Sequence, residues 1–132
     1  MANAYDVVRD FESAVAEYAG APFGVAVESC TSALLLACAY SEVYQVSIPK
    51  RTYVGVPMAI LHAGGWPQCR EEAWEGAYAL EPYDIIDSAR RFRRGMYVPS
   101  TLYCVSFHWE KHLKLGRGGM ILTDDSRAVE WL

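Results

Sequence analysis

Lysine is scarce in this chain of 132 residues, occurring only at Lys50, Lys111 and Lys114. Basic residues as a whole are outnumbered, 12 against 16 acidic ones, for a net charge of −4. Nothing in that total draws the protein to nucleic acid. The one local basic cluster, Arg90, Arg91, Arg93 and Arg94, reads as a solvated turn. Long hydrophobic runs are missing too. The longest apolar stretches, such as residues 32–40, are far too short to span a bilayer, so no membrane partner is expected. Residues 1–19 carry Asp6, Asp10, Glu12 and Glu17 where a signal peptide would be apolar. Cysteines are few and far apart: Cys30, Cys38, Cys69 and Cys104 form no C-x-x-C pair. That scatter argues against a zinc or disulfide framework and for buried thiols in a reducing, cytoplasmic compartment.

What is present suits one folded domain over residues 1–132. At 52% hydrophobic and 21% charged the mixture is globular, not disordered. Val8, Phe11, Val15 and Tyr18 recur at steps of three and four, predicting an amphipathic helix over 5–19 that Gly20 ends. FGVAVES (23–29) reads as a buried strand, and Thr31 as the N-cap of a helix through SALLLACAY. VSIP (46–49) is a short strand and VGVPMAILHAGG (54–65) a helix stopped by glycines. YDIID (83–87), TLYCVSF (101–107) and GMILT (119–123) are strand-like, and DSRAVEWL opens a last helix. Residues 66–82 give only a weak signal. Strands alternating with helices predict an α/β fold whose mostly parallel sheet is covered on both faces. Ligands of such folds sit at the carboxyl ends of the strands.

Polar groups fall where those strands stop. Thr31 and Ser32 open a helix, where free N–H groups and the helix dipole suit a phosphate, although Thr31 could simply cap the helix. Asp87 ends the apolar run YDII, and its plainer role is also a cap. Ser106 ends TLYCV, and Lys111 stands five residues later in CVSFHWEKHLKLGRGGM. Phe107 and Trp109 are expected to turn inward beside that lysine. Lys50, after a proline in a polar turn, and Lys114, with no serine five places back, lack this setting. Pyridoxal phosphate is the cofactor that needs such a set: a lysine amine for its aldehyde, a carboxylate for its pyridine nitrogen, and a phosphate cup. Tyr53 could supply an aromatic face. A metal reading on His108 and His112 is weak, because the zinc-protease pattern puts glutamate directly after the first histidine, whereas Glu110 comes two places later. His62 reads as a packed or surface histidine, and GRGG lacks the ending of a nucleotide-binding loop.

From FESAVAEYAG through AVESCTSALLLA, IPKRTYVGVPMAILHAGGWP, DIIDSARRF and SFHWEKHLKLGRGGMILTDD, the chain resembles the DegT/DnrJ/EryC1/StrS family. These are fold-type I pyridoxal-phosphate enzymes, largely sugar aminotransferases. The resemblance implies a three-layer α/β/α fold, a reduced version of the family's large domain with the C-terminal small domain absent. It implies that Lys111 is the Schiff-base lysine, that Asp87 partners the pyridine nitrogen, and that Tyr53 stacks on the ring. Thr31, Ser32 and Ser106 would hold the phosphate. Arg90 stands where the family usually has a glutamine touching the ring hydroxyl. Cys30 replaces a usual glycine, Arg117 a usual glutamate and His112 a usual asparagine, and residues 65–87 bridge segments that usually enclose a further strand and helix. The implied activity moves an amino group from a donor such as glutamate to a nucleotide-linked keto-sugar; the alternative is a cofactor-binding, regulatory protein without turnover. The implied assembly is a homodimer, with exposed aromatics around Tyr97 and Tyr103 among its contacts.

Overall fold

The computed structural model describes residues 3–108 and 110–132. In chain order its elements are α1 (Asp6–Ala19), β1 (Phe23–Val27), α2 (Cys30–Tyr40), β2 (Gln45–Pro49), α3 (Gly55–His62) and β3 (Trp66–Arg70). They continue with β4 (Tyr78–Ala79), β5 (Ile85–Ser88), β6 (Leu102–Ser106), β7 (Gly119–Thr123) and α4 (Ser126–Trp131). A five-stranded sheet runs in the order β1-β7-β6-β5-β4, and β2 pairs with β3 in a second one. A bridge between Ser47 and Glu81 joins the two. The class is α/β and the sheet is mixed. β5 and β6 pair in parallel, as do β2 and β3, whereas β7 runs antiparallel to both its neighbours and β4 antiparallel to β5. β1, β5 and β6 therefore share one direction, so their carboxyl ends meet at one edge.

Strand periodicity divides the core into two layers. On one face Tyr103, Val105, Phe107, Met120 and Leu122 pack against Val15, Ala16 and Ala19 of α1. On the other, Leu102, Cys104, Ile121 and Ile85 pack against Ala33, Leu34, Ala37 and Cys38 of α2, with Val56 and Ile60 of α3 beside them. α1 ends as its sequence dictates: Gly20, at φ +84°, donates its N–H to the carbonyls of Ala16 and Glu17. Its buried stripe is led by the small residues Ala16 and Ala19, while Val8 and Tyr18 stay at the margin. The helix comes so close to β1 that a Cβ on Gly24 would lie 3.0 Å from the Glu12 carbonyl oxygen. Glu12 in turn accepts the Ala26 N–H at 2.8 Å, occupying a donor of this edge strand.

Two local expectations are corrected. The N-cap of α2 is Ser29, not Thr31: Ser29 is extended (φ −161°, ψ 162°) and its hydroxyl accepts the Ser32 N–H at 3.1 Å. Thr31 already lies inside the first turn. Tyr103 is 3% exposed and Tyr97 half-buried with its hydroxyl on the Thr101 carbonyl, so neither offers the exposed aromatic surface expected of them. The weakly read stretch 66–82 holds two strands. Arg70 ties them together, donating to the carbonyls of Ser47 and Ala79 and pairing with Glu72 and Glu81. Of the arginine cluster, Arg90, Arg93 and Arg94 are exposed, while Arg91 is half-buried and bonds the Glu75 carbonyl. No helix among the described residues is long and apolar enough to cross a membrane.

Candidate active site

A cavity of about 790 Å³ opens at the carboxyl edge of β5 and β6. Its wall gathers residues from distant parts of the chain: Thr31 from α2, Tyr53 from the segment before α3, Asp87 from β5, Arg90, Ser106 from β6, and Lys111 from the loop that follows. Ser32, expected with them, is not part of the lining; its hydroxyl donates to Glu28 at 3.0 Å. Arg51, Arg117, Glu28, Cys30, Trp74 and Tyr78 are among the other residues of the wall.

The strand ends explain this convergence. Asp87 and Ser106 sit in neighbouring parallel strands, and Gly119 lies opposite Ser106 in β7. A Cβ on Gly119 would fall 2.5 Å from the Ser29 carbonyl carbon and 2.6 Å from the Cys30 nitrogen. The first turn of α2 thus rests directly on the backbone of β7, and only glycine permits it. Gly119→Ala is expected to lift that turn and destabilise the fold by about 3 kcal/mol, at the upper end of ordinary overpacking. Urea unfolding measures it; a loss well under ~1 kcal/mol would mean the helix yields freely. Gly55 serves similarly at the rim, where a Cβ would meet the Tyr53 ring at 2.8 Å and the Thr31 hydroxyl at 3.1 Å.

The loop bearing Lys111 is closed at its root by Phe107, whose N–H bonds the Gly118 carbonyl and whose carbonyl accepts the Leu115 N–H. The Lys111 N–H is fixed to the His108 carbonyl at 2.8 Å, and Ser106 accepts the His108 N–H at 3.3 Å. Lys111 is half-buried, and among the described residues no hydrogen bond or ion pair holds its ammonium. The Phe107 side chain does not turn toward it. It is 1% exposed on the α1 face, against Phe11 at 5.2 Å and Phe92 at 6.0 Å between ring centroids. Trp109, the other expected neighbour, lies outside the described residues.

Asp87 is the buried charge of the site, 5% exposed. Oδ2 accepts the Tyr78 hydroxyl at 2.5 Å, and Oδ1 accepts the Ala89 N–H at 3.0 Å with the Cys30 thiol 3.9 Å away. Burial lifts its carboxyl above the ordinary value, while the two hydrogen bonds and the nearby Lys111 charge pull it back. Burial, then the Asp87 charge, push Cys30 and Tyr78 up as well. Both therefore stay protonated, the phenol as a donor and the thiol as an inert one. Tyr78 was not legible in the sequence because β4 is only two residues long. His112 accepts the Phe92 N–H through Nδ1, and among the described residues no group of three or more His, Cys, Asp or Glu side chains could hold a metal.

A buried carboxylate, an amine held by no partner, hydroxyls beside a helix start and an aromatic ring around one cavity form a donor set that fits pyridoxal phosphate. Comparison with solved structures points to the same fold. DesV from S. venezuelae superposes with a TM-score of 0.78 at 21% identity, covering 92% of this chain and 45% of its own. DesI, solved with its TDP-sugar product, gives 0.78 at 18%, covering 98% and 44%. NtdA from Bacillus subtilis, with bound cofactor PMP, gives 0.74 at 15%, covering 99% and 39%. The chain thus spans less than half the length of these relatives. No curated protein sequence matches it. The profile of the DegT/DnrJ/EryC1/StrS aminotransferase family, whose members depend on pyridoxal phosphate, matches residues 1–74. With more than half its length so matched, the chain belongs to the DegT/DnrJ/EryC1/StrS aminotransferase family.

Proposed function

We propose that this chain holds pyridoxal phosphate through Lys111 and, as part of an aminotransferase, moves an amino group from a donor such as glutamate to a keto-sugar carried on a nucleotide. The observation that carries the reading is the meeting of Asp87, Ser106 and Lys111 with Thr31 and Tyr53 around one cavity. The cofactor, when bound, supplies the aldehyde and the electron-withdrawing ring that amino transfer requires. Asp87 would accept the N–H of the ring nitrogen and hold its positive charge. Thr31, Ser106 and the start of α2 would donate to the phosphate, with Ser32 contributing its backbone to that turn. Tyr53 would cover the ring, and Arg90 would reach its hydroxyl. Freed from the cofactor, the Lys111 amine would carry the proton to and from the reacting carbon of the donor. The keto-sugar class is supported by the family and by the TDP-sugar product of DesI.

On this reading the assembly is a homodimer. Tyr44 and Trp66, 72% and 63% exposed, are among the exposed aromatics that could serve it, and Tyr103 is not.

The test is borohydride reduction of the full chain with pyridoxal phosphate. The expected result is one reduced pyridoxyl group per chain, mapped to the Lys111 peptide. A label spread equally over Lys50, Lys111 and Lys114 would sink the reading. Label without amino transfer would leave a cofactor-binding role alone.

A further inference from the structure

We propose that Tyr78 is the positioning residue of Asp87, its phenol fixing the carboxylate's direction so that the remaining acceptor capacity is left for the ring nitrogen of the bound cofactor. This rests on the cofactor reading above and adds a residue to it.

The geometry begins with strand register. Tyr78 lies directly across from Asp87 in the antiparallel β4–β5 pair, and directly opposed residues present their side chains on one face. Both are almost fully buried, at 6% and 5% exposure, and the phenol meets Oδ2 at 2.5 Å. The ring packs against Trp74 in an edge arrangement at 4.7 Å between centroids, and that indole donates to the Arg51 carbonyl. The backbone of β4 is pinned by the Arg70 guanidinium on the Ala79 carbonyl. A two-residue strand anchored at both ring and backbone thus delivers one hydroxyl to one carboxylate. As mere core filler Tyr78 would need no hydroxyl, since phenylalanine would pack the same volume.

The chemistry follows from burial. An ionised carboxylate out of water needs donors, and hydrogen bonds to its charged form favour that form. Asp87 has the Tyr78 phenol and the Ala89 N–H, with Lys111 as the nearby positive charge. The Cys30 and Cys104 thiols and the Arg70 guanidinium also lie around the pair. Tyr78 occupies one oxygen and thereby orients the other atoms of the group.

Tyr78→Phe keeps the contact with Trp74 and removes only the donor. In the full chain, the Asp87 carboxyl, followed by carbon NMR without cofactor, should then titrate at higher pH than in the unaltered protein. The dissociation constant for pyridoxal phosphate should rise up to ~10-fold, because a carboxylate no longer held in direction has to be ordered when the ring nitrogen binds. In an Asp87→Asn background the same substitution should change affinity less than about twofold, because the partner through which it acts is gone. Site-specific 3-fluorotyrosine at 78, a stronger donor, should move the Asp87 titration the opposite way, and it guards against a Tyr78→Phe protein that folds poorly. A shift in melting temperature alone, with Asp87 titration and cofactor affinity unchanged, overturns the proposal while the cofactor reading stands. Absence of cofactor binding by the unaltered protein overturns both.

Discussion

Lys111→Ala should reduce the borohydride label from one pyridoxyl group per chain to background, and leave the fold as it is. The first half follows from uniqueness. Of the three lysines only Lys111 lines the cavity with Asp87 and Ser106. Lys50 is an exposed charge paired with Glu71 at 3.0 Å, and Lys114 is exposed outside the lining. A phosphate bound near Thr31 and Ser106 would hold an aldehyde close to one amine, and such proximity raises its effective concentration far above that at a surface lysine. The second half follows because no hydrogen bond or ion pair holds the Lys111 ammonium among the described residues, and its influence there is the charge it sets near Asp87 and Cys30. Stability should stay within about 0.5 kcal/mol of the unaltered protein. Mass spectrometry of the reduced, digested protein and circular dichroism check the two halves. A Lys50→Ala control should label fully. Persistent label in Lys111→Ala would remove that residue from the chemistry.

Much of this site could be read before any fold was known, because it depends on chain order. A polar residue that ends an apolar strand lands at the carboxyl edge, and Asp87 and Ser106 are of that kind. What failed was side-chain direction. With Ser106 facing the cavity, the period of two along β6 sends Phe107 and Tyr103 to the α1 face, where both are buried. The alternation of TLYCVSF already held this signal. The N-cap of α2 was ambiguous for another reason: Ser29, Thr31 and Ser32 all carry hydroxyls, and only the extended backbone of Ser29 selects it. β3 and β4 were hidden more deeply. β3 is paired on one side only and carries Pro67 against Val46 of its neighbour, and β4 is too short for any period to appear. Tyr78 was lost with them, although its register places it on the most deeply buried carboxylate of the site.

Asp87→Asn should stabilise the cofactor-free protein at neutral pH while weakening its hold on pyridoxal phosphate. Burial, the largest influence on this carboxyl, raises it above its ordinary value of 3.8; Tyr78, the Ala89 N–H and Lys111 oppose the rise without cancelling it. Between the ordinary and the raised value the folded protein holds a proton that the unfolded chain has released. Stability therefore falls as pH rises through that window, and the deficit persists at neutral pH, at about 1.4 kcal/mol for each unit of the shift. Asparagine removes the charge and keeps an acceptor for the Tyr78 phenol. Its urea midpoint should exceed that of the unaltered protein at pH 7, and the two should converge below about pH 4, where Asp87 is protonated in both states. Cofactor affinity should fall at least ~10-fold, because a neutral amide cannot balance a protonated ring nitrogen as a carboxylate does. Opposite signs in the two measurements would mark a group retained at a cost to the fold for the sake of binding. If Asp87→Asn were instead less stable at pH 7, the hydrogen bonds to the charged carboxylate would outweigh its burial, and a structural role would account for it.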